Sequence, residues 1–298
     1  MKLAKYSEDR LVAEITRGLP LGENVRVGAG DDCAVLGAPR AARWTLLKAD
    51  AVVEGVHFLR DDDPRRVGWK ALCRAISDIA AMGGVPEHAV ITIAVSREDD
   101  VSRVKALYAG LRKAARRFGV SIVGGETSRS PGPLFVNVTL TGSVERQRCV
   151  LRSGAKIGDV IFVTGRLGGS RAGKHLDFTP RLAEARWLVA NFRPNAMMDL
   201  SDGLAADLPR LARASGCGFI LDASKIPRTR GCTARQALND GEDFELLFTL
   251  SPGNAIRVKE LWSQTFQSLP LTQIGAVTQL STLNSQLPSH GHDHFADA

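Results

Sequence analysis

Residues 63–84, DPRRVGWKALCRAISDIAAMGG, combine a helix-opening Asp-Pro pair, an apolar stripe and a closing Gly-Gly pair. Pro64 suits the first turn of a helix, where a backbone N–H has no intrahelical partner to lose. Leu72 and Ile76 recur at helical spacing, which predicts a helix with one buried face. An acidic residue, Asp78, stands near the end of this element.

Apolar strands are predicted on both sides of this helix. WTLLKAD (44–50) precedes it and HAVITIAV (88–95) follows it. LFVNVTLTGSV (134–144) alternates apolar and polar residues, which is typical of a half-exposed antiparallel strand. SIVGG (121–125) is expected to be a short, buried strand. The first half of the chain is therefore predicted to be mixed α/β.

The length of 298 residues favours two domains, each large enough for its own core. Near residues 149–158 the chain passes through a connection that contains glycine and charged residues, and a new strand, DVIFVTG (159–165), follows. We place the domain boundary at this connection. The expected domains are residues 1–148 and residues 149–298.

Composition describes an ordinary globular protein, with 44% hydrophobic and 24% charged residues. No apolar run approaches the ~20 residues that span a bilayer, so no membrane association is expected. The N-terminal stretch lacks an apolar core of signal-peptide length, and the five cysteines form no C-x-x-C pair. We therefore expect a cytoplasmic protein with free thiols and no cysteine-based zinc site.

The formal net charge is +7. The densest basic stretch, residues 111–118, lies on a predicted helix, and no aromatic residues interleave it for base stacking. A solvated helix face explains this stretch better than a nucleic-acid interface does. Small anionic substrates are the partners that this charge favours.

Acidic residues form the most informative pattern of the chain. Seven of them stand at expected chain reversals or element ends, most beside Gly or Ser, in the strings GAGDD, KAD, ISDIAAMGG, GGETS and DLSDG. Mg²⁺ prefers such hard oxygen ligands, and small residues let the backbone approach an anion. Any single string could instead be a turn or a helix cap. Taken together, the strings predict a Mg²⁺-dependent enzyme that acts on nucleotide phosphates.

The order of these strings resembles the thiamine-monophosphate kinase family, within the aminoimidazole-ribotide synthetase superfamily. The resemblance runs from about residue 6 to the end of the chain. The motifs that carry it are GDDCAVL, DAVVEGVHF, ISDIAAMG, GGET, RSGAKIGD, DLSDGLAADL, GEDFELLF and the terminal GHDHF.

The resemblance implies an N-terminal α/β domain that binds metal and ATP and forms a barrel across a homodimer. It also implies a C-terminal α/β domain that closes the ATP and substrate site. The implied reaction moves the γ-phosphoryl group of ATP directly onto thiamine monophosphate, in line and with several Mg²⁺ ions. The alternatives are another ATP-dependent enzyme of the superfamily, such as aminoimidazole-ribotide synthetase, or a non-catalytic nucleotide-binding paralogue.

The family resemblance implies roles for individual residues, each assigned from its position in a matching motif. The residues expected to bind Mg²⁺ are Asp31, Asp32, Asp50, Asp78, Glu126, Asp199 and Asp202. Those with a catalytic role among them are Asp32, Asp78, Asp199 and Asp202. The expected ATP contacts are Gly125, Glu126, Arg152 and Ser201, and the expected substrate contacts are His57, Glu242 and His292.

Three positions depart from the family pattern. Glu126 stands where the family has Asp, which moves the carboxylate by about one bond length. His292 replaces a Tyr beside the substrate. Lys48 lies two residues before Asp50, so strand alternation puts both on one face. Its ammonium either replaces a Mg²⁺ ion or contacts a phosphate, or else it forms a salt bridge with a site acid.

Overall fold

The computed structural model describes residues 7–280. Its α-helices are α1 (Glu8–Ile15), α2 (Pro64–Ala81), α3 (Val101–Phe118), α4 (Leu182–Asn191), α5 (Leu204–Ala214), α6 (Ala234–Asn239) and α7 (Pro252–Thr265). Its strands are β1 (Val25–Val27), β2 (Ala34–Leu36), β3 (Arg43–Val53), β4 (Val85–Val95), β5 (Ser121–Arg129), β6 (Phe135–Glu145), β7 (Val160–Thr164), β8 (Ala196–Asp199), β9 (Gly218–Leu221), β10 (Leu246–Leu250) and β11 (Leu271–Thr278).

The first sheet has the strand order β1-β2-β3-β6-β4-β5. Its pairs are antiparallel except for β4 and β5, which run parallel. Strand β6 alternates buried and half-buried residues along its whole length, as its sequence pattern predicts. Helices α2 and α3 pack together beside this sheet, and Leu46, Ile76, Ile91 and Leu111 are fully buried in the shared core.

Helix α2 begins where the sequence predicts, with the Asp63 carboxylate accepting a hydrogen bond from the Arg65 N–H at 2.9 Å. It approaches α3 so closely that two glycines are required. A Cβ on Gly68 would lie 2.0 Å from the carbonyl oxygen of Leu107, and one on Gly110 would lie 1.9 Å from that of Arg65. These contacts are with backbone atoms, so no side-chain rearrangement could relieve them.

The second sheet has the order β8-β10-β7-β11-β9 and is antiparallel throughout. One face packs with α5 and α6 through residues such as Met198 and Leu204. The other face packs with α4 and α7 through residues such as Phe248 and Trp262. The two sheets with their helices confirm the mixed α/β class.

Helix α2 also contacts the second half of the chain, because it packs against α4 and β8. This contact brings the last turn of α2 against the end of β8. Among residues 7–280, no helix is both long enough and apolar enough to cross a bilayer.

Strand β5 differs from its prediction. The sequence predicts a short, buried strand over 121–125, whereas β5 extends to Arg129 and none of its residues is buried. Among the described strands, β5 lies at the edge of the sheet and pairs only with β4. Its apolar residues Ile122 and Val123 therefore indicate an exposed edge and not a core strand.

Candidate active site

Three acidic residues that are far apart in sequence meet between the two halves. Asp32 lies two residues before β2, Asp78 in the last turn of α2, and Asp199 at the end of β8. All three are buried, and each contributes an oxygen within 4.8 Å of those of the other two. We call these three residues the acidic cluster. It could hold a metal ion, and the sequence predicts all three members.

The electrostatics of the acidic cluster favour a bound cation. Burial, and then the nearby charge of Asp32, raises the pKa of Asp199 to about 7. Burial likewise raises the pKa of Asp78. One oxygen of Asp32, Oδ2, is buried and has no hydrogen-bond partner among residues 7–280. A hard divalent cation would satisfy this oxygen and relieve the repulsion, so the donor set fits Mg²⁺.

Resident cations already contact the acids in and beside the cluster. Lys48 Nζ lies 3.0 Å from Asp78 Oδ1, which is the salt bridge with a site acid considered for this residue. Arg152 Nη2 lies 2.5 Å from Asp32 Oδ1. The guanidinium of Arg152, predicted to contact ATP, thus contacts a metal-ligand candidate.

Asp50 and Glu126 do not stand at chain reversals, because they lie inside β3 and β5. Asp50 pairs with Arg74, whose Nη2 is 3.2 Å from Asp50 Oδ1. Glu126 and Gly125 lie on the exposed strand β5, and Glu126 is not among the three clustered acids. A Cβ on Gly125 would lie 1.8 Å from the carbonyl oxygen of Ile91, so glycine is required there by strand packing.

Asp31 and Asp202 flank the acidic cluster without joining its three members. The Asp31 carboxylate accepts a hydrogen bond from the Arg152 N–H at 3.1 Å. Burial and the adjacent Asp32 raise the pKa of Asp31 to about 6. Asp202 lies in the bend before α5 and pairs with Arg210.

A cavity of about 690 Å³ opens next to this region. It brings together His57, Glu242, Ser201 and Asp202, which the sequence predicts as substrate, ATP and metal residues. Phe58 and Phe244 supply apolar walls. The cations that line it are Arg66, Arg74, Arg171 and, when protonated, His175. This combination suits a ligand with an organic ring and an anionic end.

Glu242 is held at the cavity in an unusual backbone conformation, with φ of 51°. Its N–H donates to the carbonyl oxygen of Ser201 at 2.6 Å. Lys70 Nζ lies 2.7 Å from Glu242 Oε1, and His175 Nδ1 lies 3.2 Å from Oε2. Burial acts to raise the pKa of Glu242, but His175, Lys70 and Arg74 outweigh it and lower the pKa to about 2. The carboxylate is therefore ionised at neutral pH.

Comparisons with known proteins give the family. The AIR synthase related protein N-terminal domain matches residues 30–144, and the corresponding C-terminal domain matches residues 156–281. Thiamine-monophosphate kinase from Rhodopirellula baltica is 35% identical over 279 residues, covering 88% of this chain and 85% of that protein. The Bacillus subtilis kinase is 34% identical over 328 residues, covering 96% and 98%.

The chain belongs to the thiamine-monophosphate kinase family. This confirms the resemblance identified from the ordered motifs. A solved structure described as AaThiL complexed with AMPPCP and TMP matches 99% of both chains, with a TM-score of 0.84 and 32% identity. The match extends to the whole fold and is not limited to the acidic motifs.

In this thiamine-monophosphate kinase family member, Lys70 is a site residue that the sequence analysis misses. Its side chain is fully buried, and burial lowers its pKa to about 8 despite the ion pair with Glu242. A signal was present in the sequence. Arg66, Lys70, Arg74 and Asp78 recur every four residues, so one stripe of α2 carries charged groups along the cavity toward the acidic cluster.

His292, predicted to contact the substrate, lies outside the described residues. Its assignment stays a prediction.

Proposed function

We propose that this chain transfers the γ-phosphoryl group of ATP to the phosphate of thiamine monophosphate, forming thiamine diphosphate and ADP. The observation that carries the proposal is the buried acidic cluster beside the 690 Å³ cavity in a chain of this family. The bond from the γ-phosphorus to the β–γ bridging oxygen breaks, and a bond to an acceptor phosphate oxygen forms. That acceptor oxygen is already ionised near neutral pH, so no general base is needed.

The proposed metal is Mg²⁺, held by Asp32, Asp78 and Asp199. Asp31, Asp50, Glu126 and Asp202 complete the proposed metal-binding set, and Asp202 shares the catalytic role of the cluster. Bound Mg²⁺ would neutralise the charge that accumulates between the two phosphates. Two observations support a bound cation. Among residues 7–280 the buried Asp32 Oδ2 has no hydrogen-bond partner, and the pKa of Asp199 is raised, so a positive ion beside these carboxylates would stabilise both.

The proposed ATP contacts are Gly125, Glu126, Arg152 and Ser201. The Arg152 guanidinium lies beside the acidic cluster, where it could also reach a phosphate oxygen. Ser201 lies three residues before the start of α5, and a helix N-terminus favours an anion.

The proposed substrate contacts are His57, Glu242 and His292. The ionised Glu242 carboxylate complements the positive thiazolium ring of a thiamine compound, and Phe244 offers an apolar wall of the same cavity. Arg171 would face the anionic end, whereas Arg74 already contacts Glu242 at 3.6 Å. The cavity thus carries opposite charges that match the two ends of the proposed acceptor.

A turnover assay with ATP, Mg²⁺ and thiamine monophosphate tests this proposal. The wild-type chain is expected to form thiamine diphosphate. Glu242→Gln should raise KM for thiamine monophosphate about tenfold, because the neutral amide loses the charge attraction to the thiazolium ring, and a tenfold change corresponds to about 1.4 kcal/mol. Glu98→Gln, at an exposed glutamate, is the matched control and should leave KM unchanged.

Absence of thiamine diphosphate from the wild-type reaction would contradict the proposal. Ring closure of a ribotide substrate would then favour another enzyme of the superfamily. Nucleotide binding without any product would favour a non-catalytic paralogue.

We also propose that the chain forms a homodimer through the open face of the first sheet. Three valine or leucine side chains stay exposed on β3, β4 and β5: Leu47 at 37%, Val90 at 39% and Val123 at 61%. In β4 the neighbouring Ile91 is fully buried, so Val90 faces away from the core. A second copy would cover this apolar face and the edge of β5 that has no neighbouring strand among residues 7–280.

The proposed dimer can be tested by measuring the molecular mass in solution, by sedimentation or light scattering. The wild-type chain is expected to have twice the mass of one chain, and Val90→Asp to have the mass of one. Ile256→Asp, at a residue 72% exposed on α7 of the other half, is the control and should remain a dimer. A monomeric wild-type chain, or a dimeric Val90→Asp variant, would rule out this interface.

We propose that the two domains have different roles, each domain containing one of the two sheets. Residues 1–148 would bind metal and ATP and dimerise, and residues 149–298 would close the ATP and substrate site. A cytoplasmic location is proposed as well, because the five cysteines remain free thiols.

A further inference from the structure

We propose that Lys48 is a built-in cation of the acidic cluster: its ammonium takes the place of a divalent ion beside Asp78, so the nucleotide-free protein holds one divalent ion there instead of several. This inference rests on the metal site of the proposed function. It concerns the number of ions that the protein binds by itself, before nucleotide brings more phosphate charge.

The position of Lys48 follows from strand register. On β3, Lys48 lies between Leu46, which is fully buried, and Asp50, which faces Arg74. Alternation places all three on the face covered by α2. The Lys48 stem is thereby directed at the last turn of α2, where its Nζ meets Asp78 Oδ1 at 3.0 Å. Only 24% of the side chain is exposed, so the ammonium is enclosed beside the acidic cluster.

A count of charges supports a single divalent ion. The carboxylates in and next to the cluster are Asp31, Asp32, Asp50, Asp78, Asp199 and Asp202. The cations that contact them are Lys48, Arg74, Arg152 and Arg210. With all groups ionised, the acids exceed the cations by two charges, which equals the charge of one divalent ion. Without Lys48 the excess would be three.

The oxygens left for that ion are also identifiable. In the part of the chain that the structure describes, Asp32 Oδ2 is buried and has no hydrogen-bond partner. Asp199 contacts the Ser77 hydroxyl at 2.5 Å, and within residues 7–280 no basic side chain lies within salt-bridge distance of it. These two carboxylates would therefore hold the ion, while Asp78 shares its charge with Lys48. A further divalent ion beside Asp78 would have to displace an enclosed, tethered ammonium.

The test counts bound Mn²⁺, used as the probe, by electron paramagnetic resonance of the free ion in a titration of nucleotide-free protein. Wild type is expected to bind about one Mn²⁺ per chain and Lys48→Met about two, because the freed Asp78 becomes an available oxygen ligand. Lys48→Arg keeps the charge and should match wild type. Lys105→Met removes an exposed lysine of α3 and should also match wild type. Asp199→Asn should abolish binding, which places the ion in the cluster.

Two results overturn the inference: a wild-type chain that binds no ion, or two or more, in the cluster, and a folded Lys48→Met variant with the wild-type count. Circular dichroism reports whether Lys48→Met is folded. If it is not, the wild-type count alone decides. Failure to make thiamine diphosphate would remove the proposed function without altering these counts, so the two outcomes are distinguishable.

Discussion

Replacing Asp199 with asparagine is expected to lower kcat by about 10³-fold, because a bound metal contributes several kcal/mol of transition-state stabilisation. Asp199 has no basic partner within residues 7–280, so its charge is the one most available to a metal. Asparagine keeps the side-chain shape and can still accept the hydrogen bond from the Ser77 hydroxyl. The measurement is the rate of thiamine diphosphate formation at saturating ATP, Mg²⁺ and thiamine monophosphate.

Asp100→Asn is the matched control. Asp100 is exposed and precedes α3 without a side-chain capping bond, so the same chemical change should leave kcat intact. The thermal midpoint of Asp199→Asn should not fall, since the substitution removes a buried charge. A variant that keeps more than about a tenth of the wild-type kcat would contradict a metal-holding role for Asp199.

The second large effect is expected from Gly110→Ala, which should destabilise the fold by about 3 kcal/mol. Alanine is the better helix former by about 1 kcal/mol, so propensity alone predicts the opposite sign. Steric overlap decides, because the new Cβ would lie 1.9 Å from the carbonyl oxygen of Arg65 in α2. The two helices must separate to relieve it. Chemical denaturation of both proteins measures the difference in the free energy of unfolding.

Gly253→Ala provides the control within another helix. Gly253 lies in the first turn of α7, and a Cβ there would meet no atom within 4 Å. This substitution should stabilise the fold by about 0.5 kcal/mol. Equal free energies of unfolding for the two variants would mean that α2 and α3 tolerate a wider spacing than their glycines indicate.

The sequence predicts much of this arrangement because several signals are local. Asp63 and Pro64 define the start of α2, and the alternation in β6 predicts its buried face. The ordered acidic motifs identify all three members of the acidic cluster. These motifs of small residues and carboxylates can be recognised from the sequence alone, because they do not depend on which distant segments pack against them.

The missed features depend on contacts between distant segments. Lys70 is more than 100 residues in sequence from Glu242, its ion-pair partner, and from His175, its hydrogen-bond partner, so neither contact is visible from the pattern of α2. The pairing of Arg152 with Asp32 likewise spans 120 residues. Strand β5 misleads because an apolar start is ambiguous between a core strand and an exposed edge.

The charged stripe of α2 has a consequence for which acceptors can react. Arg66, which lines the cavity, and Asp78 in the acidic cluster are separated by 12 residues of one helix, or about 18 Å along its axis. With Mg²⁺ held by the acidic cluster as proposed, an acceptor bound in the cavity would have to reach the metal with its phosphate, and a longer or shorter molecule would place that phosphate too far away. Inserting a single residue into α2 between Arg66 and Asp78 would rotate one of them about the helix axis by about 100° relative to the other, so the two would no longer face the same site. Selectivity for the length of the acceptor should therefore persist when residues of the cavity walls are substituted, but not when α2 is lengthened or shortened.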